Sequence, residues 1–454
     1  MQKHKNTNCL VLAAAVAAVT TAQLQAAPFT YRLVASLGQT APGGVQYIDY
    51  FEVGQINDWG NVIFGAEVGS NGGATDLGEG TFLTQFARLA ALELPGDSAP
   101  GGGGTFFELL SPTTLNNLGE GATAVALTTV QSPLGLGVGL YRGFGNTPLP
   151  RAAVVPGLTR APDGLPFQGV SFQPVLNDRG QLLFNGLIST SRGILPSQGL
   201  GLGMFIADED GRISNVVSPG DPAPGGGTFD FAEVAWINNI GDVAFGAHIA
   251  GEECIGDATL ANQTSRIFCG DNVYVKFVDS WETVAVAHQG TPAQGGGTFR
   301  HSWGPVINDL RQVLFVGDLT PPPNNDVTQG LYLYDGWTHA TTPVVRPGDA
   351  LPDGSHLATV SDFSVGHHLN NLGEISFLAT EDSGVEAVWE KSDRDLRLVA
   401  KTGQTIPGVG TILNFDVEGG PMFGGALNND LGQVFFAVNL TSGSTAMIIA
   451  TPTR

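Results

Sequence analysis

One short phrase returns seven times along this chain: usually a branched apolar residue, then Asn, two further residues, usually Gly, and a strand that ends in Phe. Its first copy reads Ile56-Asn57-Asp58-Trp59-Gly60-Asn61-Val62-Ile63-Phe64. Later copies begin at Asn116, Asn177, Asn238, Asn308, Asn370 and Asn429, at intervals of 59, 61, 61, 70, 62 and 59 residues. A fixed period of that size is the mark of a repeat architecture, and it constrains the fold more than any other feature. The phrase itself reads as a turn. Asn first and Gly fourth suit a type I turn, in which the Asn side chain bonds back to the backbone and Gly accepts the positive φ that follows. Apolar strands on either side make it a β-hairpin turn. The competing reading, seven Asn residues acting as ligands, has no such local rationale. Two copies depart from the pattern: Arg311 stands for Gly in the fifth and Thr123 for Phe in the second.

Each repeat divides into four strand-like pieces. In the fourth these are Phe229 to Ile237, ending at the Asn238 turn, then Asp242 to His248, Asn272 to Phe277 and Thr283 to Ala287. A Gly/Pro segment then leads onward, such as the run from Pro219 to Phe229, with close copies from Pro95 to Phe106 and from Gln289 to Phe299. Such runs exclude regular structure and mark the passage from one unit to the next. Four antiparallel strands, seven units and a period near 61 predict an all-β chain: a seven-bladed β-propeller of four-stranded blades. With 64 Gly, 27 Pro and only 14% charged residues, the composition is that of a turn-rich β protein, and 42% apolar content is too high for disorder.

The two ends of the chain fit that ring. After the Asn429 turn come strands at Gln433 to Val438 and Thr445 to Ala450, and no fourth follows. At the other end, Thr30-Tyr31-Arg32-Leu33-Val34-Ala35 matches the outer strand Leu396-Arg397-Leu398-Val399-Ala400 of the sixth repeat. The N-terminal strand is therefore expected to complete the last blade and close the ring, removing the open edges an array would expose.

Residues 1–27 read as a secretory signal peptide: Lys3 and Lys5, a short apolar run from Val11 to Val19, and small residues from Ala22 to Ala27. The mature unit is then residues 28–454, a single propeller, secreted or periplasmic. Losing the two lysines takes the formal charge from -22 to -24. So acidic a surface repels phosphate backbones, which argues against nucleic acid as a partner. No later stretch reaches 18 consecutive apolar residues, so no transmembrane segment is expected after the signal. Cys254 and Cys269 lie in the extra residues of the fourth repeat, and in an exported chain they read as a disulfide, a two-cysteine metal site being the alternative.

The repeat resembles that of the bacterial exported proteins with tandem NxxGxVAF repeats, a family named for those repeats and for its different C-terminal anchors. Asn238-Asn239-Ile240-Gly241-Asp242-Val243-Ala244-Phe245 matches that consensus throughout. Members often end in a sorting signal with a spanning stretch and a basic tail. This chain ends Ile448-Ile449-Ala450-Thr451-Pro452-Thr453-Arg454, which departs from that pattern and favours free release.

Placing the strand before each Asn turn innermost puts the Asn turns on one face and the Gly/Pro crossings, with the second-to-third loops, on the other. That second face also carries the insertions from Gly69, Ser189, Ala250 and Pro321, and loops carry function more often than scaffolds do. Eight residues before the turn Asn stand Asp49, Glu108, Asp230 and Asp362, with Arg300 in the fifth repeat. These form a candidate ligand-binding ring at the channel mouth, with Trp303 placed to stack on a sugar. A solvated rim, a Ca²⁺ site and a glycan or peptide site all remain open. No nucleophile elbow, P-loop or dinucleotide fingerprint appears, and no cofactor beyond Ca²⁺ is suggested. Histidines gather in the later repeats at His288, His301, His339, His356, His367 and His368, and most tryptophans read as inter-blade packing. The expectation is a monomeric, non-enzymatic exported scaffold binding an extracellular glycan or protein. The alternative is a secreted hydrolase or lyase using paired acids at the channel mouth.

Overall fold

The computed structural model describes residues 29–85, 88–110, 113–132, 135–145, 150–170, 173–190, 199–252, 272–294, 296–320, 329–361, 366–415 and 425–453. Seven antiparallel sheets follow one another around a ring, a seven-bladed β-propeller. Blade 4 shows the unit in full: Phe229–Ile237 innermost, then Val243–Ile249, Asn272–Lys276 and Thr283–Ala287 outermost. These bounds lie within a residue or two of those read from the sequence. Blades 2, 3, 6 and 7 carry an interrupted inner strand, for example Leu357–Val360 and His367–Leu369, both paired to Ile375–Glu381.

The ring closes as the chain ends predict. Phe29–Ser36 is the outer strand of blade 7 and pairs antiparallel with Thr445–Pro452, Tyr31 opposite Ala450 and Leu33 opposite Ile448. Tyr31 reaches further, donating its hydroxyl to the Val399 carbonyl of blade 6 at 2.6 Å. The first strand thus ties two blades rather than one.

Inside the blades the repeat's Phe has a constant partner. It lies opposite an aromatic residue of the third strand in five blades: Phe64 with Phe82, Phe184 with Phe205, Phe245 with Tyr274, Phe315 with Tyr332 and Phe377 with Trp389. In blades 1, 3, 4 and 5 a third ring completes a triad. Tyr47, Phe167, Phe229 and Phe299 meet the third-strand ring edge-on at centroid distances of 4.9–5.0 Å. The Gly/Pro crossing therefore ends in an aromatic because that residue plugs the next blade, and such edge-to-face contacts add about 0.5–1.5 kcal/mol to the burial of the rings.

Blade 2 shows what happens without that Phe. Thr123 faces blade 1, where its hydroxyl lies 3.3 Å from that of Thr81, and Thr81 donates to the Glu93 carboxyl at 2.8 Å. Glu93 is 1% exposed, and burial pushes its pKa up to about 8. A polar cluster with a protonated acid occupies the inter-blade space that a ring fills elsewhere.

Candidate functional site

The seven turns form two closed rings of hydrogen bonds around the axis. In each turn the Asn Oδ1 accepts local backbone N–H groups, as at Trp59 and Asn61 for Asn57, and Gly60 sits at φ 71°. That much is ordinary turn chemistry. The amide nitrogen points elsewhere. Asn57 donates to the Asn116 carbonyl, Asn116 to Asn177, and so on through Asn238, Asn308, Asn370 and Asn429, which donates back to Asn57, all at 2.8–3.1 Å. Every one of these asparagines is buried.

A second ring uses the next residue: Asp58, Asn117, Asp178, Asn239, Asp309, Asn371 and Asp430. The backbone N–H of each donates to the side-chain Oδ1 of the next around the ring, at 2.7–2.9 Å, and Asp430 returns to Asp58. Acid and amide alternate, so that Asn117 and Asn239 also donate to Asp178 and Asp309. Seven is odd, and strict alternation must fail once. It fails at the closure joint, where Asp430 meets Asp58. Burial and then the charge of neighbouring acids hold both carboxyls above the ordinary carboxylate range.

These rings line an axial cavity of about 100 Å³. Trp236 and His368 also line it, ring to ring at 5.1 Å, and Trp236 packs against the cores of several blades at once. His368 Nδ1 lies 2.9 Å from Asn428 Oδ1, and burial lowers its pKa to about 4, so it is neutral. His367 likewise bridges to the Gly304 carbonyl of blade 5 at 2.6 Å.

One residue further along each turn the chain faces solvent. Trp59, Leu118, Leu310, Leu372 and Leu431 are exposed, Trp59 to 77% and Leu118 to 65%, Ile240 is half-buried, and Arg179 is the one polar member. Trp59 leans onto the next turn, its indole N–H donating to the Asn117 carbonyl at 3.0 Å. Trp281 and Trp337 are exposed on the adjoining turns. Inter-blade packing therefore describes Trp389 and, on the axis, Trp236, but three of the six tryptophans stand at the surface. The crown could have been read from the sequence as an apolar residue recurring third in the phrase. Its exposure could not.

The residues expected at the opposite mouth take partners within their own blades. Asp49 is exposed and lies beside Glu67, whose carboxyl is raised to about 7 by burial and by Asp76 and Asp49. Asp230 Oδ2 is 3.6 Å from His248 Nδ1, and Arg300 lies 3.2 Å from Asp318. Glu108 is half-buried beside the exposed Phe107. Trp303 stacks on His301 at 4.2 Å and packs partly against the core between blades 5 and 6, and burial, then Arg300, lowers His301 to about 4. Asp362, Cys254 and Cys269 lie outside the described residues. Among the described residues no group of three or more His, Cys, Asp or Glu is arranged to hold a metal ion, and no helix is long and apolar enough to cross a membrane.

The model of one family, described as "Family of unknown function (DUF7453)", matches residues 11–386 and 282–447. No curated protein matches. Among solved structures, an oligogalacturonate lyase in complex with manganese is 13% identical with a TM-score of 0.50, covering 94% of this chain and 97% of its own. The β-propeller domain of the Trilobed protease from Pyrococcus furiosus is 11% identical with a TM-score of 0.47, covering 89% and 96%. An acylaminoacyl peptidase from Pyrococcus horikoshii is 10% identical with a TM-score of 0.45, covering 86% and 51%. At these identities the likeness is one of fold.

Proposed function

We propose that this chain, which belongs to that family of unknown function, is an exported, non-enzymatic binding scaffold whose Asn-turn face holds a partner protein through a basic, apolar-flanked segment. The observation that supports it is the crown of exposed apolar side chains around a mouth bearing four carboxylates. Single exposed apolar residues are ordinary, whereas several gathered on one face around a polar centre are the pattern of a binding surface. The charge selects the occupant. A second copy of the chain would bring eight carboxylates face to face, and anionic lipid would be repelled; a segment with Lys or Arg at its centre and Leu-like residues beside it meets both features.

An amphipathic Lys/Leu peptide tests this by titration calorimetry. Micromolar binding is expected, weakening with salt and weakening about tenfold or more for the Leu118→Ser/Leu372→Ser double variant, since apolar contacts at an interface core each contribute on the order of 1 kcal/mol. Absence of binding, equal binding of a Glu-for-Lys peptide, or an unchanged affinity in the double variant would overturn the reading.

The second reading, a secreted hydrolase or lyase, draws on Glu67, a carboxyl with a pKa near 7 beside Asp49 and Asp76. A carboxyl raised toward neutral pH, with two further acids beside it, suits general acid catalysis. Cleavage of any member of a polysaccharide panel, abolished by Glu67→Gln, would favour it over the scaffold.

A further inference from the structure

Between blades 3 and 4, apart from the axial mouth, lies a cavity of about 270 Å³, larger than the one on the axis. Its apolar walls include Ile206, Val216, Val243 and the exposed Trp281. Its polar members include an Asp208–Arg212 ion pair and Lys276. The lysine is the unusual part. In a chain with 20 basic and 42 acidic residues, a half-buried ammonium would be expected to sit against a carboxylate. Instead Lys276 Nζ donates to the Val216 carbonyl at 2.5 Å and lies 5.5 Å from the centre of the Trp281 ring, with Asp221 acting on it only through its field. An ammonium has three donors, and a carbonyl takes one.

The aromatic wall is held at a cost. Trp281 adopts φ 54°, a left-handed conformation that is an outlier for a bulky residue. Blade 5 carries His339 at the same place in its third-to-fourth turn, at φ 55°, and blade 3, whose turn is one residue shorter, has Gly211 at 83°. In blade 4 the side chain at this position is the ring that walls the cavity.

We propose that this inter-blade cavity binds a small organic carboxylate with a flat apolar face, the carboxylate accepting from Lys276 and the face lying on Trp281. The shared chemistry fits either an uronic sugar or an aromatic acid. Arg212 and Asp208 pair with each other, which leaves Lys276 as the cation of the described lining free to meet an anion, with Asp221 acting on it from outside that lining. The cavity's volume is near the lower end for a small-molecule site and admits one ring.

Titration calorimetry of the full chain with glucuronate and with benzoate, each against a neutral counterpart, glucose and benzyl alcohol, decides it. At least one acid binds and its neutral counterpart does not; glucuronate alone identifies the sugar source, benzoate alone the aromatic one. Lys276→Met keeps the apolar stem and weakens binding about 10- to 100-fold, the loss of a charge-assisted hydrogen bond. Trp281→Gly relieves the strained turn, melts no lower than the parent, and also loses affinity. Failure of both acids to bind, equal binding of the neutral compounds, or undiminished binding by Trp281→Gly would overturn the proposal. None of these results bears on the peptide titration at the axial face.

Discussion

At the scale of single residues the rings convert a turn preference into an assembly device. The Asn side chain accepts from its own turn and donates outward to the next, so an ionised Asp, equally good as a turn former but without a donor, cannot replace it. Asn177→Asp should lose the bond to the Asn238 carbonyl and set a carboxylate against it, costing about 1–3 kcal/mol in denaturant unfolding. In the second ring the acid–acid joint suggests the opposite outcome. Asp430→Asn keeps the acceptor for the Asn371 N–H and removes the repulsion with Asp58, so the melting temperature should rise. The gain should grow with pH, because a carboxyl with a raised folded pKa favours the folded state at low pH and loses that advantage as pH rises. Glu93 obeys the same sign. Between its ordinary 4.5 and about 8 the unfolded chain has released the proton and the folded chain has kept it, so stability falls as pH rises through that window. Glu93→Gln should flatten the melting-temperature profile there and raise the value at pH 8, with little change at pH 4. Arg311 shows how the ring tolerates a missing Gly. At φ 62° its strain is offset by ion pairs to Asp242 and Asp279 and by stacking between Phe277 and Trp337, each ring 4.9 Å from the guanidinium.

At the scale of elements, closure depends on one strand. Without Phe29–Ser36, Thr445–Pro452 becomes an unpaired edge of mostly buried, apolar residues, the kind of edge that templates aggregation. A chain beginning at residue 37 should therefore aggregate on light scattering, and a synthetic peptide of residues 29–36 supplied during refolding should restore monodispersity. This pairing was legible from the residues because an outer strand repeats like any other: Thr30 to Ala35 matched the outer strand of blade 6 and had no blade of its own. Strand positions were legible for the same reason, the alternation and turn chemistry being local. The site was not. Counting back from the turn finds Asp49, Asp230 and Arg300 at equivalent heights, but the side chains settle on Glu67, His248 and Asp318. Those partners belong to neighbouring strands, and cross-strand neighbours do not appear in any spacing along the chain.

At the scale of the whole molecule, ring closure gathers into one face residues that are about sixty positions apart. Four carboxylates, a crown of apolar side chains and a Trp236–His368 floor become one surface only because seven turns meet on an axis. That geometry makes salt a clean probe: if the mouth recognises a basic segment, affinity should fall steadily with ionic strength, and it should fall less steeply in an Asp178→Asn/Asp309→Asn variant, measured by the same calorimetry. The sequence alone determined the number of blades, the order of strands and the joining of the chain's ends, since each follows from a period, a turn preference or a match between segments. Tertiary structure decided which amide reaches the next blade, which acids crowd at the joint and which apolar residues are left facing water. Those outcomes depend on distances between turns that no single repeat contains, and they exist only once the last blade meets the first.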